Sequence, residues 1–205
     1  MKSIILGVAG SIAAYKAADL TSKLVKRGHA VFVVMTQNAT SFVAPMTFQT
    51  LSKNPVTSGV FDEPESWRPT HIDLADRADL FLAAPATANL LAKLALGICD
   101  DVLTSIALAT QAPVLIAPAM NGKMWLHPAT QQNVATLRAR GATFIGPEEG
   151  MLACGYEGLG RLWNVDEIVA KADEILLREH QPDSHPVQVA KKIKRNLKKF
   201  VDVFF

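Results

Sequence analysis

Five short apolar runs, spaced by helix-period patterns, constrain this chain more than any other feature. The runs are Ile4–Ala9, Ala30–Thr36, Asp79–Ala84, Pro113–Pro118 and Ala142–Gly146. Each has the length of a strand buried on both faces, without the polar alternation of a half-exposed one. Helical patterns cover Ser11–Arg27, Thr87–Leu96, Asp100–Thr110, Pro128–Arg140 and Val165–His180. Gly28, Gly97 and Gly141 stand where three of them stop. Pro128 suits a first turn, and Asp100 and Asp101 place negative charge at a helix start. Strands alternating with helices make right-handed βαβ units and a parallel sheet covered on both sides. The expected architecture is a three-layer αβα fold, a doubly wound parallel sheet of flavodoxin or Rossmann type.

Composition narrows the function classes. With 205 residues and 49% hydrophobic content, the chain can bury a core of its own. One domain over residues 1–180 is expected, followed by a basic tail or linker remnant over 181–205. The tail holds six of the Lys and Arg residues against two acids, while the whole chain carries only +2. That balance does not fit a general nucleic-acid binder. Val187, Ile193, Leu197, Phe200 and Phe204 fall near one helical face of the tail. This fits a partner helix, but a solvated terminal helix is the favoured reading. The N-terminal run imitates a signal peptide, yet Gly7 and Gly10 interrupt it and a helical pattern follows, so strand, turn and helix are expected. The stretch Leu80–Ile98 is broken by Pro85, Asn89 and Lys93, so no membrane span is expected. Two cysteines, Cys99 and Cys154, make no disulfide framework and favour a reduced, cytoplasmic setting. Cys99 is read as a small buried residue.

Five segments could carry chemistry. Gly7-Val8-Ala9-Gly10-Ser11 sits between the first strand and helix, where free amides and a hydroxyl suit a phosphate. The spacing is not G-x-G-x-x-G, and Met35-Thr36 ends the second strand where a dinucleotide site would place an acid, so a mononucleotide is favoured. An ordinary tight turn explains the glycines equally well. Ala83–Asn89 ends the third strand with small residues, and Thr87 there is first of all a helix cap. Ala117–Trp125 ends the fourth strand, where Met120, Met124 and Trp125 form an apolar wall for a planar ring beside the amide of Asn121. Leu152–Arg161, with glycines at 155, 158 and 160, reads as a mobile flap bearing Cys154, a cysteine suited to proton donation. His71 follows the proline-rich stretch Asn54–Pro69, and its position alone favours it only slightly.

Together these segments resemble the flavin-dependent cysteine decarboxylases over about residues 1–178. The resemblance rests on GVAGSIAAYK (Gly7–Lys16), HIDL (His71–Leu74), APATAN (Ala84–Asn89), GICDDVLT (Gly97–Thr104), PAMNGKMW (Pro118–Trp125) and ACGYEGLGR (Ala153–Arg161). The full PxMNxxMW element together with the cysteine flap resembles the branch that acts on phosphopantothenoylcysteine in coenzyme A synthesis. The resemblance implies FMN held by Gly10, Ser11, Thr36, Thr87, Ala88, Asn89 and Ala119, and no metal. It implies catalytic roles for His71, Asn121 and Cys154. Substrate contacts would come from Asn121, Met124, Ala153 and Gly155. It further implies a homotrimer, or a multiple of trimers, with each active site at a subunit boundary. The chemistry so implied is thiol oxidation, loss of CO₂ from the resulting β-thioxo acid, and re-reduction with a proton from Cys154.

Two departures stand out. Tyr156 occupies a flap position where many relatives have Asp. Residues 181–205 do not resemble the ligase domain that follows this unit in many bacteria, which leaves a stand-alone decarboxylase or a shortened bifunctional chain. The alternatives are oxidative decarboxylation of a peptide's C-terminal cysteine, which needs no Cys154, and a non-catalytic regulatory flavoprotein.

Overall fold

The computed structural model of the chain describes residues 1–59, 69–151, 153, 155 and 157–178. At its centre, β1 (Ser3–Val8), β2 (Ala30–Met35), β3 (Leu80–Ala86), β4 (Val114–Pro118) and β5 (Thr143–Phe144) form one parallel sheet. Their spatial order is β2-β1-β3-β4-β5. The winding reverses between β1 and β3, and ligands of open α/β sheets bind at the carboxyl ends of the strands at such a reversal.

Strand residues alternate between two cores. Ile4, Leu6 and Val8 join one apolar cluster, while Ile5 and Ala9 join the other. The first cluster is closed by α1 (Ala14–Lys26), α2 (Pro45–Ser52) and α8 (Val165–Arg178). The second is closed by α3 (Thr70–Arg77), α4 (Ala88–Leu96), α5 (Val102–Ala109), the short α6 (Gly122–Leu126) and α7 (Pro128–Ala139). Helices on both faces confirm the three-layer, flavodoxin-like expectation. Among the described residues, no helix is long and apolar enough to cross a membrane.

Several boundaries differ from the sequence pattern for identifiable reasons. The first helix begins at Ala14 rather than Ser11, because residues 9–14 form a tight turn. There the Ser11 N–H donates to the Ala9 carbonyl at 2.9 Å and the Ala14 N–H to the Ser11 carbonyl at 2.9 Å. The strand pattern runs through Thr36, but Thr36 instead starts a 3-10 turn over Gln37–Ser41. The stretch taken as irregular contains Thr57, which bridges β2 at Val34, and His71 falls in the first turn of α3, directly after that stretch. Residues 60–68 of it lie outside the described residues. The glycine-rich flap is corrected to an antiparallel hairpin of β6 (Glu148–Met151) and β7 (Glu157–Arg161). Its glycines read as loop because they lack side chains, yet some of them permit close packing between backbones. The tail, 181–205, lies outside the described residues, as do 179 and 180.

Candidate active site

The turns after β1, β2, β3 and β4 enclose a cleft of about 510 Å³ at the carboxyl edge of the sheet. All seven residues expected to hold the cofactor line it: Gly10, Ser11, Thr36, Thr87, Ala88, Asn89 and Ala119. Three of its hydroxyls play the same local role. The Ser11 hydroxyl accepts from the Ala13 N–H at 3.2 Å, that of Thr36 from Ala39 at 3.3 Å, and that of Thr87 from Leu90 at 3.3 Å. Each therefore caps a turn through its oxygen and keeps its own proton to donate into the cleft. The start of α4, at Thr87–Leu90, lies on the same wall and adds unpaired amides and the positive end of the helix dipole. Cap and ligand readings of Thr87 are thus both satisfied by one side chain.

The two glycines of the first turn act differently from what a phosphate loop suggests. A Cβ on Gly7 would stand 2.5 Å from a methyl carbon of Leu103, and one on Gly10 would stand 2.5 Å from the Asn38 Cβ. Gly7 lets α5 pack onto β1. Gly10 lets the first turn seat against the 3-10 turn, which brings Gln37 and Asn38 to the cleft.

The sequence reading missed Lys93 and Asp101, which also line the cleft. The Lys93 ammonium lies 2.6 Å from Asp100 and 3.3 Å from Asp101. Asp101 caps α5, accepting from the Thr104 N–H at 2.8 Å in a reciprocal capping box with the Thr104 hydroxyl. The bond to Asp100 raises the Lys93 pKa above the ordinary lysine value, and the same bond lowers that of Asp100. The Asp-Asp pair was visible in the sequence as a helix start. Its pairing with a lysine eight residues earlier, across the turn at Gly97, was not.

A second cavity of about 610 Å³ opens under the hairpin. It meets the first at Ser11, Ala119 and Met120, which line both. Asn121 and Ala153 line it as expected, together with Tyr15, Lys16 and Arg161. The Asn121 side-chain oxygen accepts from the Lys123 N–H at 2.9 Å, which fixes the orientation of the amide. The hairpin is held over this cavity by backbone contact. The Met120 N–H donates to the Gly160 carbonyl at 3.0 Å, and a Cβ on Gly160 would stand 2.2 Å from the Met120 oxygen.

Other expected site residues fall elsewhere. Met124 lines the first cleft and not the second, while Gly155 lines neither. Trp125 is not part of a ligand wall: at 7% exposure it belongs to the core beside α7. Cys99 is exposed, contrary to the buried reading, because it lies in the turn after α4 rather than on a strand. His71 is half-buried in the first turn of α3 and lines neither cavity. Cys154 and Tyr156 lie outside the described residues. Among the described residues, no group of three or more His, Cys, Asp or Glu is placed to hold a metal.

The first cleft fits FMN on its own chemistry. Its volume lies within the roughly 300–1,000 Å³ usual for small-molecule sites. It offers helix-start amides and three donating hydroxyls for a phosphate. Met120 and Met124 give apolar cover for a ring, and no carboxylate stands at Thr36 to hold a second ribose.

Known proteins agree with this geometry. The Flavoprotein family model matches residues 1–177. A probable phosphopantothenoylcysteine decarboxylase of Streptococcus mutans is 51% identical over 177 residues, covering 85% of this chain and 99% of that protein. The coenzyme A biosynthesis bifunctional protein CoaBC of Bacillus subtilis is 51% identical over 178 residues, covering 87% of this chain. The match spans only 44% of that bifunctional protein's length. Among solved structures, a PPC decarboxylase mutant complexed with pantothenoylaminoethenethiol superposes with a TM-score of 0.74 at 32% identity, covering 84% of this chain and 96% of that one.

Proposed function

The chain belongs to the Flavoprotein family, and we propose that it decarboxylates 4′-phosphopantothenoylcysteine to 4′-phosphopantetheine with FMN as cofactor, a step of coenzyme A biosynthesis in the cytoplasm. The observation that carries this reading is the junction of the two cavities at Ser11, Ala119 and Met120. A cofactor-sized cleft opens there onto a second chamber lined in part by Asn121. Bound FMN would take an electron pair from the substrate thiol and later return it, which gives the carboxylate a neighbouring electron sink while CO₂ leaves.

The chain's own residues bind, orient and move protons. The seven residues of the first cleft hold the phosphate and ring. The Asn121 amide, oriented by its bond from the Lys123 N–H, donates to the substrate carboxylate or its neighbouring amide. Cys154 supplies the proton that completes the saturated product. His71 serves as an acid–base catalyst from the boundary with a second copy, consistent with its position outside both cavities of its own chain. A homotrimer, or a multiple of trimers, with sites at its subunit boundaries meets that requirement. Residues 1–180 form the decarboxylase unit, and 181–205 a basic tail or linker.

The test is product mass. FMN-loaded protein incubated with 4′-phosphopantothenoylcysteine yields a product lighter by one CO₂. Loss of CO₂ plus two hydrogens from the native chain contradicts the closing reduction and favours peptide-type oxidative decarboxylation. No change in substrate mass overturns the reading.

A further inference from the structure

We propose that Lys16, with Arg161 beside it, forms an anion site in the wall of the second cavity that reads the terminal phosphate of the substrate. This assignment rests on the decarboxylase reading above.

Lys16 follows the first glycine turn but does not line the cofactor cleft. It lines the second cavity, half-buried in the first turn of α1. Among the described residues it has no carboxylate partner. Lys23, two turns along the same helix, is held by Asp19 at 3.0 Å and Asp166 at 2.8 Å. A lysine in a cavity wall without a carboxylate partner is a site for an anion that arrives with a ligand.

Arg161 reaches the same chamber by a built route. A Cβ on Gly150 would stand 2.7 Å from the Arg161 guanidinium nitrogen and 3.2 Å from its Cδ. The bare backbone of β6 thus leaves room for the arginine to cross the hairpin. The neighbouring Gly160, clamped on Met120, fixes β7 relative to Asn121. Arg161 is partly matched by Glu148 at 3.3 Å, so Lys16 carries the larger share of the free charge. A phosphate there gains charge-assisted hydrogen bonds from both groups. Asn121 and Lys16 line one chamber, the amide suited to the carboxylate end of an elongated substrate and the ammonium to its phosphate.

The experiment compares kcat/KM for phosphopantothenoylcysteine and its dephosphorylated analogue, pantothenoylcysteine, in the FMN-loaded native protein and in K16Q and R161Q. Flavin content is measured in each. The expected result is a native preference for the phosphate ester of about tenfold or more. That ratio collapses toward one in K16Q and falls partway in R161Q, chiefly through KM, with flavin content unchanged. Equal use of both substrates by the native protein overturns the site while leaving the decarboxylase reading intact. A preference that survives in K16Q also overturns it. Loss of FMN from K16Q overturns it by placing the lysine on the cofactor. If the native protein turns over neither substrate, the decarboxylase reading fails and this site fails with it.

Discussion

The two cavities are adjacent but built by different means. The cofactor cleft is made of short βα turns, each closed by a side chain from its own turn: Ser11 on Ala13, Thr36 on Ala39, Thr87 on Leu90 and Asp101 on Thr104. The chamber under the hairpin is made by contact between distant segments. Its cover depends on Gly160 meeting Met120 and on Arg161 crossing Gly150. Local caps give a wall that forms as the sheet forms. Through-space docking gives a cover that can be disturbed without touching the wall. On the proposed function, the comparison predicts that cofactor binding and substrate handling are separable in this chain.

The largest expected effect lies with the residue that belongs to neither cavity. His71→Asn lowers turnover by about 10²–10⁴-fold, the usual share of an acid–base group. Flavin content and melting temperature stay near native values, because the side chain is half-buried and belongs to neither core cluster. A His71→Asn protein that retains turnover excludes the histidine from the chemistry.

Gly160→Ala comes next and divides the two regions most sharply. The added methyl would meet a backbone oxygen at 2.2 Å, so β7 shifts away from Met120. Turnover falls by about tenfold or more through KM, while the Kd for FMN changes only a few-fold, as equilibrium titration of flavin fluorescence would read. Equal loss of both breaks the separation.

Thr87→Ala gives the converse. Removing the cap costs about 1 kcal/mol, or roughly 2–4 °C in melting temperature for a unit of this size. FMN affinity falls along with it, and KM for substrate at saturating FMN is unchanged.

The smallest effect concerns the ion pair beside the cleft. Asp100 has its pKa lowered by Lys93, so its contribution to stability is present above the ordinary aspartate value and is lost as pH falls through the lowered one. Lys93 has its pKa raised by Asp100, so its contribution is present below the ordinary lysine value and is lost as pH climbs through the raised one. In Lys93→Gln, melting temperature becomes less steep with pH on the acid side. Screening of these exposed groups keeps the difference small.

The same division explains what was legible in the sequence. The strands, the parallel sheet and the seven named residues that line the first cleft were readable because their signals are local: apolar runs, stop glycines and cap residues within three positions of what they cap. The hairpin was not, because β6 and β7 carry glycines where strand patterns carry β-branched residues, and those glycines serve partners far along the chain. Gly7 was read only as part of a phosphate-type or ordinary tight turn, for a related reason. The sequence shows that a side chain is missing, but not that Leu103 fills the space. Trp125 shares a motif with Asn121 and was assigned to the same wall. The turn of α6 sends Trp125 into the core instead, because a tryptophan that size is better buried than exposed. His71 could be named by resemblance but not placed, since it lines neither cavity of its own chain.

The most direct measurement of this division is hydrogen–deuterium exchange of the flavin-free protein, the FMN-loaded protein, and the FMN-loaded protein with 4′-phosphopantetheine. The account predicts that FMN protects the turns at residues 9–13, 36–39 and 87–90, and leaves β6 and β7 near their flavin-free rates. The product then protects the hairpin and the first turn of α1. Protection of the hairpin by FMN alone, with the turns unchanged, would contradict it.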